Sequence, residues 1–205
     1  QSNVFTFTNA RSKSKFSKDN SINILLGHEV FINQKEGLEQ KLKDFPIGIT
    51  PESALGQLTK GTILAGYPSS SYSRSTLLSF FTRINYTLKQ RYLFSFTYRG
   101  DGSSKFARDN NWGYFPSGSV AWRISKEKFM QSVDEISDLK VRFSYGKSGN
   151  NRISDYLYQT FYKDDIYGLN NNTSTGALVP NSLGNSNLKW ETTTSKNIGL
   201  DLGLL

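Results

Sequence analysis

The residues that could carry chemistry are few, and each lacks the company its chemistry requires. His28 is the only histidine, and it lies in phase with Ile24, Leu26 and Val30 on an alternating segment. A histidine metal site needs further ligands, and the chain has no cysteine to provide thiolates. The spacing therefore makes His28 a wall residue with a polar tip. Asp101 and the pair Asp164–Asp165 are carboxylates of the type used for acid–base work, but they sit among turn formers, where solvation is their expected role. Gly100–Asp101–Gly102 is turn chemistry, because glycine accepts positive φ and Asp bonds its own backbone. It is no phosphate cradle: no helical pattern follows it, and no GKS or GKT accompanies it. The many serines have neither a second histidine nor a nucleophile elbow to activate them. These residues predict no enzyme and no cofactor.

What remains is recognition. Tyr156, Tyr158, Tyr162 and Tyr167 crowd into the stretch 148–188 among Asn and Asp. Such a mixture can stack on sugar rings while bonding hydroxyls, or pack the loop onto itself or onto a covering protein. Trp112 is a fifth candidate contact.

The elements that must position these residues alternate apolar and polar side chains. A strand sends successive side chains to opposite faces, so such a segment has one greasy wall and one wet wall. Seven segments show this pattern: SNVFTFTN ending near Ala10, then 21–33, 76–88, 91–99, 113–124, 139–145 and 189–204. In the fourth, Tyr92, Phe94, Phe96 and Tyr98 oppose Ser95, Thr97 and Arg99. Only Lys89–Gln90–Arg91 separates the third from the fourth, which predicts a β-hairpin. The spacing of Leu38, Leu42 and Phe45 predicts a short helix over 36–45, and a helical turn is expected in 125–137. GITPES and GYPSSS read as turns.

Modest links (11–20, 89–91, 125–137) alternate with long polar loops (34–75, 101–112, 148–188). An up-and-down transmembrane barrel has this inequality, with short periplasmic turns and long outer loops. The lack of a run of about 18 apolar residues excludes a transmembrane helix but not such a barrel, whose strands need only about 9–11 residues. A mean hydropathy of −0.50 is therefore no obstacle. Fourteen Phe and eleven Tyr suit a protein that needs rings at two membrane interfaces. On this reading Arg83, Asn85, Arg99, Arg123, Lys140 and Arg142 face inward, where they guide anionic solutes or pair with carboxylates of a plug or of the wall itself. The net charge of +8 comes from single, scattered residues with no run of five like charges. The stripe that a nucleic-acid backbone demands is missing, so no nucleic acid is expected as a partner.

The motifs DGSSKF at 101–106, WGYFPSGSVAWRIS at 112–125, DLKVRFSYGKSGN at 138–150 and NLKWETT at 187–193, with SINILLGHE at 21–29, resemble the SusC/RagA family of TonB-dependent outer-membrane transporters. The resemblance implies a 22-stranded barrel closed by an N-terminal plug. It implies uptake of a large nutrient, an oligosaccharide or a peptide, beneath a SusD-like surface lipoprotein, with energy delivered by a TonB complex through the plug region. The expected fold class is thus all-β: an antiparallel up-and-down meander, a partial segment of a large transmembrane β-barrel in the cell outer membrane. Residues 1–205 are expected to hold barrel alone, with no plug and no carboxypeptidase-regulatory-like domain. The alternative is a soluble all-β carbohydrate-binding module with aromatic platforms.

Overall fold

The computed structural model describes residues 2–9, 19–130, 132–133, 135–170 and 173–204. Most of the link 11–20 lies outside them. Contacts divide the chain into two units, Gln1–Phe31 with Thr76–Leu205, and Ile32–Ser75.

The main element is a seven-stranded sheet in the order β1 (Ser2–Thr8), β2 (Asn20–Glu39), β5 (Ser69–Leu88), β6 (Tyr92–Ser103), β7 (Trp112–Arg123), β8 (Ile136–Asn150) and β11 (Glu191–Leu204). These are the seven expected strands, in sequential order. The pairs β1–β2, β5–β6, β6–β7, β7–β8 and β8–β11 are antiparallel. The hairpin at 89–91 is tight: Arg91 N–H donates to Leu88 O at 3.0 Å, and Lys89 and Gln90 have φ of 50° and 56°. Two positive φ values give the mirror-image turn whose twist matches that of the flanking strands.

Register keeps the two chemistries apart. Tyr86, Phe94, Val120, Phe143 and Ile198 lie opposite one another across five strands, as do Leu88, Tyr92, Trp122, Val141 and Leu200. On the other face the row is Asn85, Ser95, Ser119, Ser144 and Asn197, and beside it run Arg83, Thr97, Ser117, Gly146 and Ser195. Because side chains alternate with a period of two, one slipped residue would move every ring to the wrong face.

Several expectations about the connections are corrected. The stretch 36–45 is no helix: β2 runs on to Glu39 and Leu42–Lys43 form β3, paired with β4 (Thr62–Ile63). A helix there would have had little to bury its stripe against, since Leu38 is 79% exposed, and Asp44 has φ of 56°. Instead Gly37 lies against Ser71, and the Phe45 ring lies over Gly61. GITPES runs into a four-residue helix, Pro51–Ala54, capped by Thr50 and Ser53, whose side chains each accept from the other's backbone N–H. This is a capping box with serine in place of the usual acid or amide. GYPSSS is in part strand, because β5 begins at Ser69. The helical turn in 125–137 takes the form of two 3₁₀ turns, Ile124–Lys126 and Lys128–Met130. The loop 148–188 has structure of its own, a hairpin of β9 (Phe161–Asn170) and β10 (Thr173–Ser182).

Candidate functional site

On the first face, large apolar side chains stay exposed: Phe94 is 44%, Phe143 43% and Leu200 63% accessible. A continuous apolar wall across five strands exceeds what a soluble monomer leaves in water, and suits hydrocarbon. One group of its rings lies toward the end that carries the long loops. Trp112 stacks between Phe80 and Tyr114, with centroids 6.4 and 6.5 Å apart, and Tyr114 stacks on Tyr98 at 6.1 Å. His28 belongs to this wall, 6.3 Å from the Phe80 ring, with Nε2 3.1 Å from the Asn3 amide. Among the described residues no group of three or more potential ligands could hold a metal.

On the polar face the basic residues have partners in the wall itself. Arg99 Nε reaches the Asp101 carboxylate at 2.7 Å, and its Nη2 reaches Ser79 Oγ at 2.9 Å and Glu29 at 3.4 Å. Lys140 and Arg142 share Asp201, at 2.7 and 3.4 Å. Arg123 lies 3.9 Å from Asp138, and Arg83 donates to Thr97 Oγ1 at 3.2 Å. Of the roles open to these residues, pairing with wall neighbours is the one this arrangement fills. Contact-distance pairing weakens the steering these charges offer a distant anion, least at Arg83, whose partner is neutral, and at Lys140 and Arg142, which share one carboxylate.

The end with the short turns is tied by one carboxylate. Glu127 follows the first 3₁₀ turn and accepts from Tyr92 Oη at 2.8 Å, Trp122 Nε1 at 3.1 Å and Arg91 at 2.8 Å. The Tyr92 and Trp122 hydrogen bonds, ahead of Arg91, hold its carboxyl below the usual carboxylate range. Tyr92 and Trp122 are cross-strand neighbours, so two ring residues at a membrane boundary and two separate turns meet on one side chain.

The opposite end is built differently. Phe106 and Phe115 are the buried apolar side chains among the described residues, 3% and 6% exposed, and Trp190 lies against both with centroids 5.3 Å away. The Trp190 indole donates to Asn111 O at 3.0 Å. The Phe115 ring occupies the space that a Cβ on Gly149 would need, and lies 2.5 Å from one built on Gly113. Phe106, Phe115, Gly149 and Trp190 come one each from the four motifs at 101–106, 112–125, 138–150 and 187–193. These scattered matches thus meet in one packed cluster. Sequence reasoning missed it because Phe115 and Phe106 break the polar alternation, and only folding reveals what covers them.

Above that cluster the candidate tyrosines separate. Tyr156 (φ 63°) packs edge-on to Phe161 at 6.4 Å. Tyr158 is partly buried and its hydroxyl accepts from Gln159 Nε2 at 3.2 Å. Tyr162 is 60% exposed on β9, opposite Pro180. The Tyr167 side chain lies outside the described residues; its backbone pairs with Thr175. Trp112 is apart from all of them, on the apolar wall opposite Gly102. The structure therefore brings Tyr156 and Tyr158 into one short segment, sets Tyr162 just beyond it, and leaves Trp112 on the lipid-compatible face.

Comparison with known proteins agrees with this architecture. Residues 4–204 match the family model for the TonB-dependent receptor-like β-barrel. The chain is 44% identical over 140 residues to the TonB-dependent receptor SusC of Bacteroides thetaiotaomicron, covering 65% of this chain and 14% of that protein. It is 35% identical over 185 residues to the TonB-dependent receptor P3 of Formosa agariphila, covering 90% of this chain and 18% of that protein. A solved structure of the RagAB peptide transporter superposes with a TM-score of 0.78 at 25% identity, over 99% of this chain and 21% of that one. The open–open state of the RagAB peptide importer gives 0.80 at 26% identity, with the same coverage. The chain thus spans about a fifth or less of the relatives it matches. The family match displaces the soluble carbohydrate-binding alternative, and the receptors of this family are transporters rather than enzymes. The chain belongs to the TonB-dependent receptor family, as part of an outer-membrane β-barrel of SusC/RagA type.

Proposed function

We propose that these residues form part of the wall of an importer that takes up a large nutrient, an oligosaccharide or a peptide. A SusD-like surface lipoprotein covers its outer mouth, and a TonB complex drives it through a plug contributed by another part of the receptor. The single observation that carries this reading is the two-faced seven-stranded sheet: an apolar wall fit for lipid backs a polar face on which most of the basic residues lie beside wall carboxylates. Such a face suits passage of a hydroxyl- or amide-rich solute, which needs many weak hydrogen bonds and no strong counter-charge. The likeness to the RagAB peptide importer and to SusC supports the solute size and the two-component arrangement. In this reading Tyr156, Tyr158 and Tyr162 meet the solute at the outer mouth.

The test is replacement of Tyr158 and Tyr162 by Ala in the complete receptor, with uptake measured separately for a peptide mixture and for oligosaccharides. Uptake of the cognate class falls at unchanged outer-membrane abundance. Unaltered growth on that nutrient, with normal abundance, assigns these tyrosines to packing.

A further inference from the structure

Segment 151–160, which carries Tyr156 and Tyr158, has little apolar anchorage of its own. Its regular backbone bonds are few: Ile153 N–H to Asn151 O at 2.8 Å and Gln159 N–H to Tyr156 O at 2.9 Å. At its far end the returning chain crosses it, with Asn185 N–H on Leu157 O at 2.9 Å and Gly184 N–H on Thr160 Oγ1 at 3.0 Å. At its near end one side chain from a different loop reaches in. Lys105 Nζ donates to Ile153 O at 2.8 Å and stands 3.7 Å from Asp155 Oδ1. Both side chains are largely covered, at 22% and 14% exposure.

Asp155 Oδ1 is buried and accepts no hydrogen bond from any described residue. A buried carboxylate oxygen without a donor is costly unless a cation lies beside it, and the Lys105 ammonium is the cation at hand. Lys105 is itself held in place. Its backbone N–H and the Asn151 amide both donate to Ser103 Oγ, each at 3.3 Å, and Ser103 is 2% exposed at the end of β6. The next residue, Phe106, is locked into the aromatic cluster. The ammonium therefore projects from a strand end beside the buried aromatic cluster into a segment with few backbone bonds.

We propose that Lys105 is a positioning residue for solute binding: its ammonium, holding the Ile153 carbonyl and the Asp155 carboxylate, fixes segment 151–160 so that Tyr156 and Tyr158 meet solute in one geometry. The inference rests on the reading that these tyrosines contact the nutrient. Lysine suits the role, since a compact ammonium has three donors to divide between a carbonyl and a carboxylate. Ordering the segment before solute arrives removes that cost from binding, so the effect belongs in affinity rather than in maximal rate.

The experiment compares Lys105→Met with Lys105→Arg in the complete receptor, reading amide hydrogen exchange without solute and the half-saturating nutrient concentration for uptake. Methionine keeps the stem and removes the charge and the donors; arginine keeps both. In Lys105→Met, exchange across 151–160 accelerates about tenfold while β6 and β7 stay as in the parent, consistent with local opening. Half-saturation rises about tenfold with maximal rate and abundance little changed, and Lys105→Arg restores most of both. Unchanged exchange at 151–160, or acceleration spread equally through the sheet, overturns the proposal. Faster exchange confined to the segment with unaltered half-saturation shows the pin but refutes the solute-contact reading, and the proposed role falls with it.

Discussion

The two ends of the sheet are closed by opposite means. At the short-turn end, Glu127 gathers a phenol, an indole and a guanidinium from residues 5 to 36 positions away, all polar contacts beside water. At the long-loop end, Phe106, Phe115 and Trp190 make a dry cluster, and the bond from Trp190 to Asn111 spans 79 positions. The first closure needs only the pairing of two strands consecutive in the chain, β6 and β7. The second forms after distant strands have paired, because loop closure must precede its reward. In the proposed function the loops of this end meet solute, and they stand beside this buried aromatic cluster.

This contrast can be broken most forcefully at the core. Phe115→Ala is expected to cost about 3–5 kcal/mol, because the cavity left between Gly113, Gly149 and Trp190 has rigid sheet on one side. Denaturation of the detergent-solubilised receptor measures it, and a loss no larger than that of a surface substitution would show the cluster to be slack. Next in size is the contrast between faces. Phe143→Arg puts a charge into lipid at about 2–4 kcal/mol, whereas Ser144→Arg, one residue on, points into the polar side and leaves assembly close to normal. Equal loss of assembled receptor in both variants would contradict the register-based division.

The smallest expected effect is at the short-turn end, and it depends on pH. The Glu127 carboxyl is held below its ordinary range, so folding gains from its ionised form. That contribution is complete above the ordinary carboxylate pKa and disappears as pH falls through the lowered value. Glu127→Gln should therefore narrow the gap in stability between neutral and acid pH. A pH profile parallel to that of the parent would remove Glu127 from the account.

How much of this was written in the chain differs between the same two ends. Alternation exposed all seven sheet strands and the 89–91 hairpin, because where one face meets lipid the period of two is enforced residue by residue. Beyond the lipid the rule lapses. The outer parts of β2, β5 and β8 carry small or polar residues on both faces, so Ser69–Ser75 and Ser148–Asn150 read as loop although they are strand. The β9–β10 hairpin was hidden the same way: Tyr162, Asp164 and Ile166 share a face with Pro180, Leu178 and Gly176, an order with no clean apolar side. Leu38, Leu42 and Phe45 had helical spacing but no partner surface, and pairing in the sheet prevailed over that local pattern. The inward cations were legible from alternation, yet their partners were not, since Asp201 is about sixty residues from Lys140 and Arg142. Lys105 was legible only as part of the DGSSKF motif; the role proposed for it depends on Asp155, which sits on another loop.

The central claim is that one face of this sheet lies in lipid and the other does not. The 205 residues contain no cysteine, so single cysteines for spin labelling meet no competing thiol within this part of the receptor, and any elsewhere are replaced first. Placed in turn at Phe94, Ser95, Val120, Ser119, Phe143 and Ser144 of the complete receptor in bilayers, the labels would be read for collision with oxygen, which concentrates in lipid, and with a water-soluble nickel chelate. The account predicts strict alternation, with oxygen dominant at 94, 120 and 143 and the chelate dominant at 95, 119 and 144. The reverse phase, or the same response at neighbouring positions, would contradict it.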